Sequence, residues 1–265
     1  MPPSRYWRFK TINKEERVQK RKKFLFWVLF TTAFLAITWW FFVSPFFKIT
    51  EIVQPKNDIV ANENIWQLIS TNLPFKAGFN ILLFSGDNLK TDLAAAFPEI
   101  TDIKTKKKLF HSVIIDFVKR VPVGFWCQPK ADKCYYFDKE GIIFKEAPET
   151  EGSLILKITD LNNQNAQIGN KVINDDLLNF ITNFYNQISN FKKFKIIEFK
   201  IKPMTNIDLE AITNSSWSIY LDPAQNPESE ANNLFTVLTE ALKNQTYNLD
   251  YVDLRIPSRI FYKLK

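Results

Sequence analysis

The chain has 265 residues, with 35 lysines and arginines against 28 aspartates and glutamates, one histidine and two cysteines. Nine of the basic and two of the acidic residues fall in residues 1–23, leaving 26 of each sign in residues 24–265. The excess of +7 therefore belongs to a short tail, and the larger part lacks the basic surplus that nucleic-acid binding uses.

Behind the tail comes an uncharged run, Phe24 to Val43, reading FLFWVLFTTAFLAITWWFFV. At about 1.5 Å per residue it spans roughly 30 Å, the thickness of a bilayer's hydrocarbon core. Trp27 stands near one end and Trp39 and Trp40 near the other, where amphipathic rings favour the headgroup level. The run is too long for a signal-peptide core and has no small-residue cleavage site behind it. Residues 1–23 are thus expected as a basic cytoplasmic tail touching anionic lipid. Residues 24–43 are expected as an uncleaved anchor and the remainder as extracytoplasmic.

Residues 46–54, FFKITEIVQ, read as a strand ended by Pro55. Asn62 is placed to cap a helix bearing Ile65, Leu68, Ile69 and Leu73. Ser85 is placed to cap a second, with Leu89, Leu93 and Ala96 or Phe97 in line and Pro98 as its stop. Residues 99–105 read as a strand, Lys106 to Lys108 as a solvated corner, and 110–120 as a strand burying Val113, Ile115 and Phe117. The order is β-α-α-β-β.

From residue 121 the pattern turns β-rich. Val121, Val123, Phe125 and Cys127 alternate, and CYYFD, the turn Lys139-Glu140-Gly141 and IIF follow. Residues 145–172 read as a long loop around the short strand LILKI. Asn174 is placed to cap a helix bearing Leu177, Ile181, Phe184, Ile188 and Phe191. Strands are expected near 194–202, 207–213 and 216–221. Asn226-Pro227 opens a last helix with Ala231, Leu234, Phe235, Leu238 and Leu242 as its buried stripe. Strands 249–256 and 259–264 come last.

Little here carries chemistry. His111 is the lone histidine, so neither a His-rich metal site nor a serine triad with a free choice of base can form. The six glycines are scattered, and no phosphate-cradling loop exists. No residue pattern names a cofactor. Cys127 and Cys134 bracket a short polar stretch. Outside the cytoplasm they can pair across a hairpin; the other reading is two thiols on different faces.

Several stretches together resemble the FtsQ/DivIB family of bacterial cell-division proteins. They are FKITEIV after the anchor, GFNILLF, AFPEITDIK, KLFHSVIIDFVKRVPVGFW, YYFDKEGIIF and LDYVDLRIPSRIFYK. Lys119-Arg120 stand where that family usually has Glu-Arg, and LDPAQNPES replaces its usual Asn-Gly turn and Leu-Gly step. The resemblance implies an α+β chain: one transmembrane helix, a βααββ POTRA domain over 44–120, and a mixed, β-rich domain with two helices over 121–265. It implies a non-enzymatic scaffold at the division septum with no cofactor. Its partners would be other single-pass division proteins, FtsB/DivIC-like and FtsL-like. The last strands would bind them by strand addition, through Asp253, Arg255, Ile256, Ser258, Arg259, Ile260 and Tyr262. A POTRA-bearing transport or assembly component, or an anchored wall enzyme, are the rival expectations.

Overall fold

The computed structural model describes residues 14–55, 60–71, 80–108, 111–148, 155–162, 166–202, 209–243, 246–257 and 259–265. Helix α1 (Lys14–Val43) is continuous over 30 residues. It is long and apolar enough to cross a membrane, and none of that apolar stretch is buried against the rest of the chain. The three threonines of its uncharged run are satisfied within the helix. The hydroxyls of Thr31 and Thr32 donate to the carbonyls of Trp27 and Val28 at 2.9 Å, and that of Thr38 to Phe34 at 3.0 Å. Such back-bonding is what a lipid environment requires of a hydroxyl.

Two compact units make up the chain, residues 1–89 with 104–116, and residues 90–103 with 117–265. After α1 come β1 (Glu51–Val53), α2 (Asn62–Thr71), α3 (Gly86–Ala96), β2 (Ile100–Lys108) and β3 (Ser112–Lys119). These strands form a sheet of order β1-β3-β2, with β1 parallel to β3. Ile65 and Ile69 of α2, Leu89 and Leu93 of α3, and Val113, Ile115 and Phe117 of β3 are buried, as their periodicities predict.

Three expectations fail in this stretch. Residues 46–54 are not one strand. Ser44 accepts the N–H of Phe46 at 3.2 Å and caps a 3-10 turn over Pro45–Phe47, so the strand shrinks to Glu51–Val53. A proline at the first helical position already lacks the donor a strand would need. Asn62 is the first residue of α2 rather than its cap, because its Oδ1 is taken by Gln54 Nε2 at 2.7 Å. Lys106 to Lys108 do not form a corner. They continue β2, where an edge strand keeps their ammonium groups in water. Leu73 lies outside the described residues.

Among the described residues the larger sheet holds nine strands in the order β12-β11-β10-β9-β8-β7-β4-β5-β6. They are β4 (Gly124–Gln128), β5 (Lys133–Phe137), β6 (Ile143–Ala147), β7 (Leu156–Asp160), β8 (Ile196–Ile201), β9 (Leu209–Thr213), β10 (Ser218–Leu221), β11 (Leu249–Asp253) and β12 (Phe261–Leu264). It is mixed: β4 with β7, β7 with β8, and β10 with β11 are parallel, the other pairs antiparallel. The molecule is therefore α+β.

One face of this sheet is covered by α4 (Asp175–Phe191) and α5 (Pro227–Thr236). Asn174 and Asn226 cap them, accepting the N–H groups of Leu177 at 2.8 Å and Ser229 at 3.0 Å. Leu177, Ile181, Phe184 and Ile188 of α4 enter the core with Ala231 and Leu234 of α5, and Phe191 stacks on Phe235 at 4.1 Å.

Strand β4 differs from the expected alternation. Pro122 breaks the ladder, Val121 is exposed, and pairing starts at Gly124. All five residues of β4 are then buried. Trp126 faces the main core, while Phe125 and Cys127 enter a second cluster with Ala147. Cys127 and Cys134 are directly opposite in the β4–β5 register and are joined by a disulfide.

Arg120 ties the start of this unit together. Its N–H donates to Glu99 O at 2.8 Å and its Nε to Pro98 O at 3.0 Å, and its Nη1 pairs with Asp138. Asp138 Oδ1 in turn accepts the N–H groups of Glu140 and Ile142, shaping a turn in which Gly141 has φ of 74°. A side chain at Gly141 would also meet the Ile173 carbonyl at 2.7 Å, so only glycine fits.

Candidate partner-binding edge

The nine-stranded sheet has two edges, and they end differently. Beside β6, the segment 169–171 supplies partners: Ile143 N–H donates to Asn170 O at 3.0 Å, and Gly169 N–H donates to Ile143 O at 2.7 Å. Beside β12, no described strand pairs on the outer side. Lys265 N–H donates inward to Asn248 O at 2.7 Å. By the alternation of a strand, Lys263 and Phe261 also turn inward, so Tyr262 and Leu264 direct their N–H groups away from β11. Phe261, Tyr262 and Leu264 are between 45 and 49 % exposed.

Behind this edge the ends of β10 and β11 are braced by charge. Arg255 grips Asp253 through two side-chain bonds, Nη2 to Oδ2 at 2.7 Å and Nε to Oδ1 at 2.9 Å. Burial by itself raises the Asp253 carboxyl. The hydrogen bonds and charge of Arg255 outweigh it and hold that carboxyl below its ordinary value. The Arg255 guanidinium lies over the Tyr220 ring at 5.2 Å, Lys202 Nζ over the same ring at 4.9 Å, and Tyr220 packs on Tyr251 at 5.4 Å. Gln225 Nε2 donates to Leu254 O at 3.3 Å and Arg255 O at 3.0 Å, pinning the chain that leads to β12.

Beneath lies Glu230 of α5, 1 % exposed. Its Oε1 accepts the Asp222 N–H at 3.4 Å, and its Oε2 has no partner among the described residues. Burial pushes this carboxyl up to about 8; the Asp222 N–H opposes the shift, and the charges of Asp222 and Asp253 add to it. Its neutral form is therefore favoured at pH 7.

Of the residues singled out from sequence, Asp253 and Arg255 form the brace, and Ile256 and Arg259 stand exposed in the connection. Tyr262 lies on β12. Ile260 is half-buried against the core, which makes it a packing residue rather than a free contact. Ser258 lies outside the described residues. Phe261 and Leu264 were not expected. Apolar residues on both faces of one short strand were the available signal, since a strand covered on one side would bury one set.

His111 stands in the turn before β3, its ring 5.7 Å from that of Phe46. Among the described residues no three His, Cys, Asp or Glu side chains converge as metal ligands. Neither a protein-family model nor a curated protein matches this chain.

Proposed function

We propose that this chain is a non-enzymatic, single-pass scaffold of the bacterial division machinery, similar to the FtsQ/DivIB family. In this reading it recruits other single-pass division proteins to the site of septal wall synthesis. One observation carries the proposal: the large sheet leaves β12 open, with outward N–H groups and exposed apolar side chains on the same strand. A partner's extended segment, FtsB/DivIC-like or FtsL-like, would add there as a further strand. Backbone hydrogen bonds would supply affinity, and Phe261, Tyr262 and Leu264 would select the incoming side chains.

Three further features support the reading. The order β1-α2-α3-β2-β3 and the sheet β1-β3-β2 suit a POTRA unit. The basic residues before the uncharged run favour a cytoplasmic tail, and the Cys127–Cys134 disulfide suits an oxidising compartment for the rest. The anchor would hold the first unit close to the bilayer, where partners with their own single anchors meet it.

The test is a fluorescent fusion to the tail in dividing cells. A ring at midcell is expected. Uniform envelope signal throughout constriction would overturn the division role and favour an envelope transport component.

A further inference from the structure

A second apolar surface lies in the first unit, where α1 ends. Phe46, Leu82 and Leu83 are between 40 and 52 % exposed. Contacts with the helix end bring them together. The Phe47 ring lies 4.5 Å from that of Phe41, and the Phe47 carbonyl accepts the N–H of Ile81 at 2.8 Å. Lys48 bridges to Asn80. Asn80 then closes a tight turn: its Oδ1 accepts the Leu82 N–H at 2.9 Å, and its carbonyl accepts those of Leu83 and Phe84 at 3.1 Å. The turn buries Ile81 and Phe84 and points Leu82 and Leu83 outward.

Charge borders this surface. Lys107 Nζ lies 5.9 Å from the Phe84 ring centre, and Lys106, Lys107 and Lys108 are all exposed at that end of β2. The Phe46–His111 contact places the start of β3 there as well. No linker separates the surface from the anchor. Ser44 N–H still donates to Trp40 O at 2.8 Å, and the 3-10 turn begins at Pro45.

We propose that this surface rests on the bilayer. Phe46 and the Leu82-Leu83 turn sit at the boundary of headgroups and acyl chains, in the leaflet from which α1 emerges. Lys106, Lys107 and Lys108 meet anionic lipid phosphates. The inference rests on the reading that α1 spans the membrane. Continuity with that span and the lysine border select lipid as the occupant. Apolar side chains there gain by leaving water for the acyl boundary, and lysine ammonium groups gain by meeting anionic phosphates. The first unit is thereby held against the membrane as a footing, not carried free on a stalk.

The experiment uses the full chain in vesicles of phosphatidylcholine and phosphatidylglycerol. A nitrobenzoxadiazole fluorophore is attached at Leu83→Cys, with Leu35→Cys and Val121→Cys as references; the native cysteines stay in their disulfide and do not react. The account expects the Leu83 label to be blue-shifted, quenched by lipids spin-labelled near the headgroup, and several-fold less open to aqueous iodide than the Val121 label. Replacing Lys106, Lys107 and Lys108 by glutamine, or omitting phosphatidylglycerol, should weaken that shielding. A Leu83 label as open to iodide as Val121, with Leu35 shielded, overturns the footing while leaving the anchor intact. An iodide-accessible Leu35 label overturns the anchor, and the footing with it. Shielding of Leu83 only after other membrane proteins are added would make this a protein-docking surface and also overturn the proposal.

Discussion

Strands β4 and β12 belong to one sheet and have opposite surroundings. Every residue of β4 is buried, on both faces, with a disulfide to its neighbour; every residue of β12 is exposed. The inner strand is held by apolar contact in two clusters, whereas the outer one is held by a single ladder to β11. Burial therefore concentrates around β4, and β12 has no described strand on its outer side. Most proteins blunt such an edge with charge. This chain does so on β2, where Lys104, Lys106, Lys107 and Lys108 are exposed, but places one lysine among three apolar residues on β12.

The contrast is broken most severely at Gly124. An added Cβ would lie 2.3 Å from the Leu156 carbonyl and 2.6 Å from the Phe137 ring. Gly124→Ala is expected to cost about 3 kcal/mol, read as a lowered urea midpoint. A midpoint close to that of the unaltered chain would mean that β4 is not tightly enclosed. Next comes the disulfide. Converting Cys127 and Cys134 to serine should remove roughly 2.5 kcal/mol through the short loop it closes. Amide exchange in β12 should stay unchanged, and faster exchange there would tie the two strands into one cooperative unit.

Glu230 offers a smaller, pH-dependent effect. Its folded carboxyl is raised to about 8 from 4.5. Between those values the folded protein holds more protons than the unfolded one, so this group's contribution is fully present below 4.5 and is lost as pH rises towards 8. Glu230→Gln keeps the acceptor for Asp222 and cannot ionise. Its melting temperature should match the unaltered chain near pH 5 and exceed it by a few degrees near pH 8. An equal gain at both pH values would show that the carboxyl is already charged in the folded state.

The smallest stability effect is expected at the edge itself. Phe261→Lys with Leu264→Lys should shift stability by no more than about 0.5 kcal/mol. It should nonetheless weaken partner retention in detergent extracts by about tenfold or more, the equivalent of 1.4 kcal/mol. A large stability loss would mark these residues as core.

Much of the architecture was legible locally. The uncharged run, the asparagine caps of α4 and α5, and the alternation of Val113, Ile115 and Phe117 each state their structure within a few residues. What escaped depends on tertiary placement. Lys106 to Lys108 look like a corner until β2 is known to be an edge. Burial on both faces of β4 requires knowing that β5 and β7 flank it and that Ala147 closes the far side. For the candidate site, the position of the last strands could be read, but not which side chains they expose. Ile260 packs against the core, while Phe261, Tyr262 and Leu264 stay exposed on both faces of β12, because β12 is the last described strand of the sheet.

The central claim is that β12 accepts a partner's strand and that the lysine-bordered edge β2 does not. Site-specific photo-crosslinking in dividing cells tests it most directly, with the reactive residue placed at Tyr262 or at Lys106. The account predicts a discrete adduct with another single-pass membrane protein from position 262, lost when Leu264→Pro removes an outward N–H of β12, and none from position 106. No adduct at 262, or the same adduct from both positions, would contradict it.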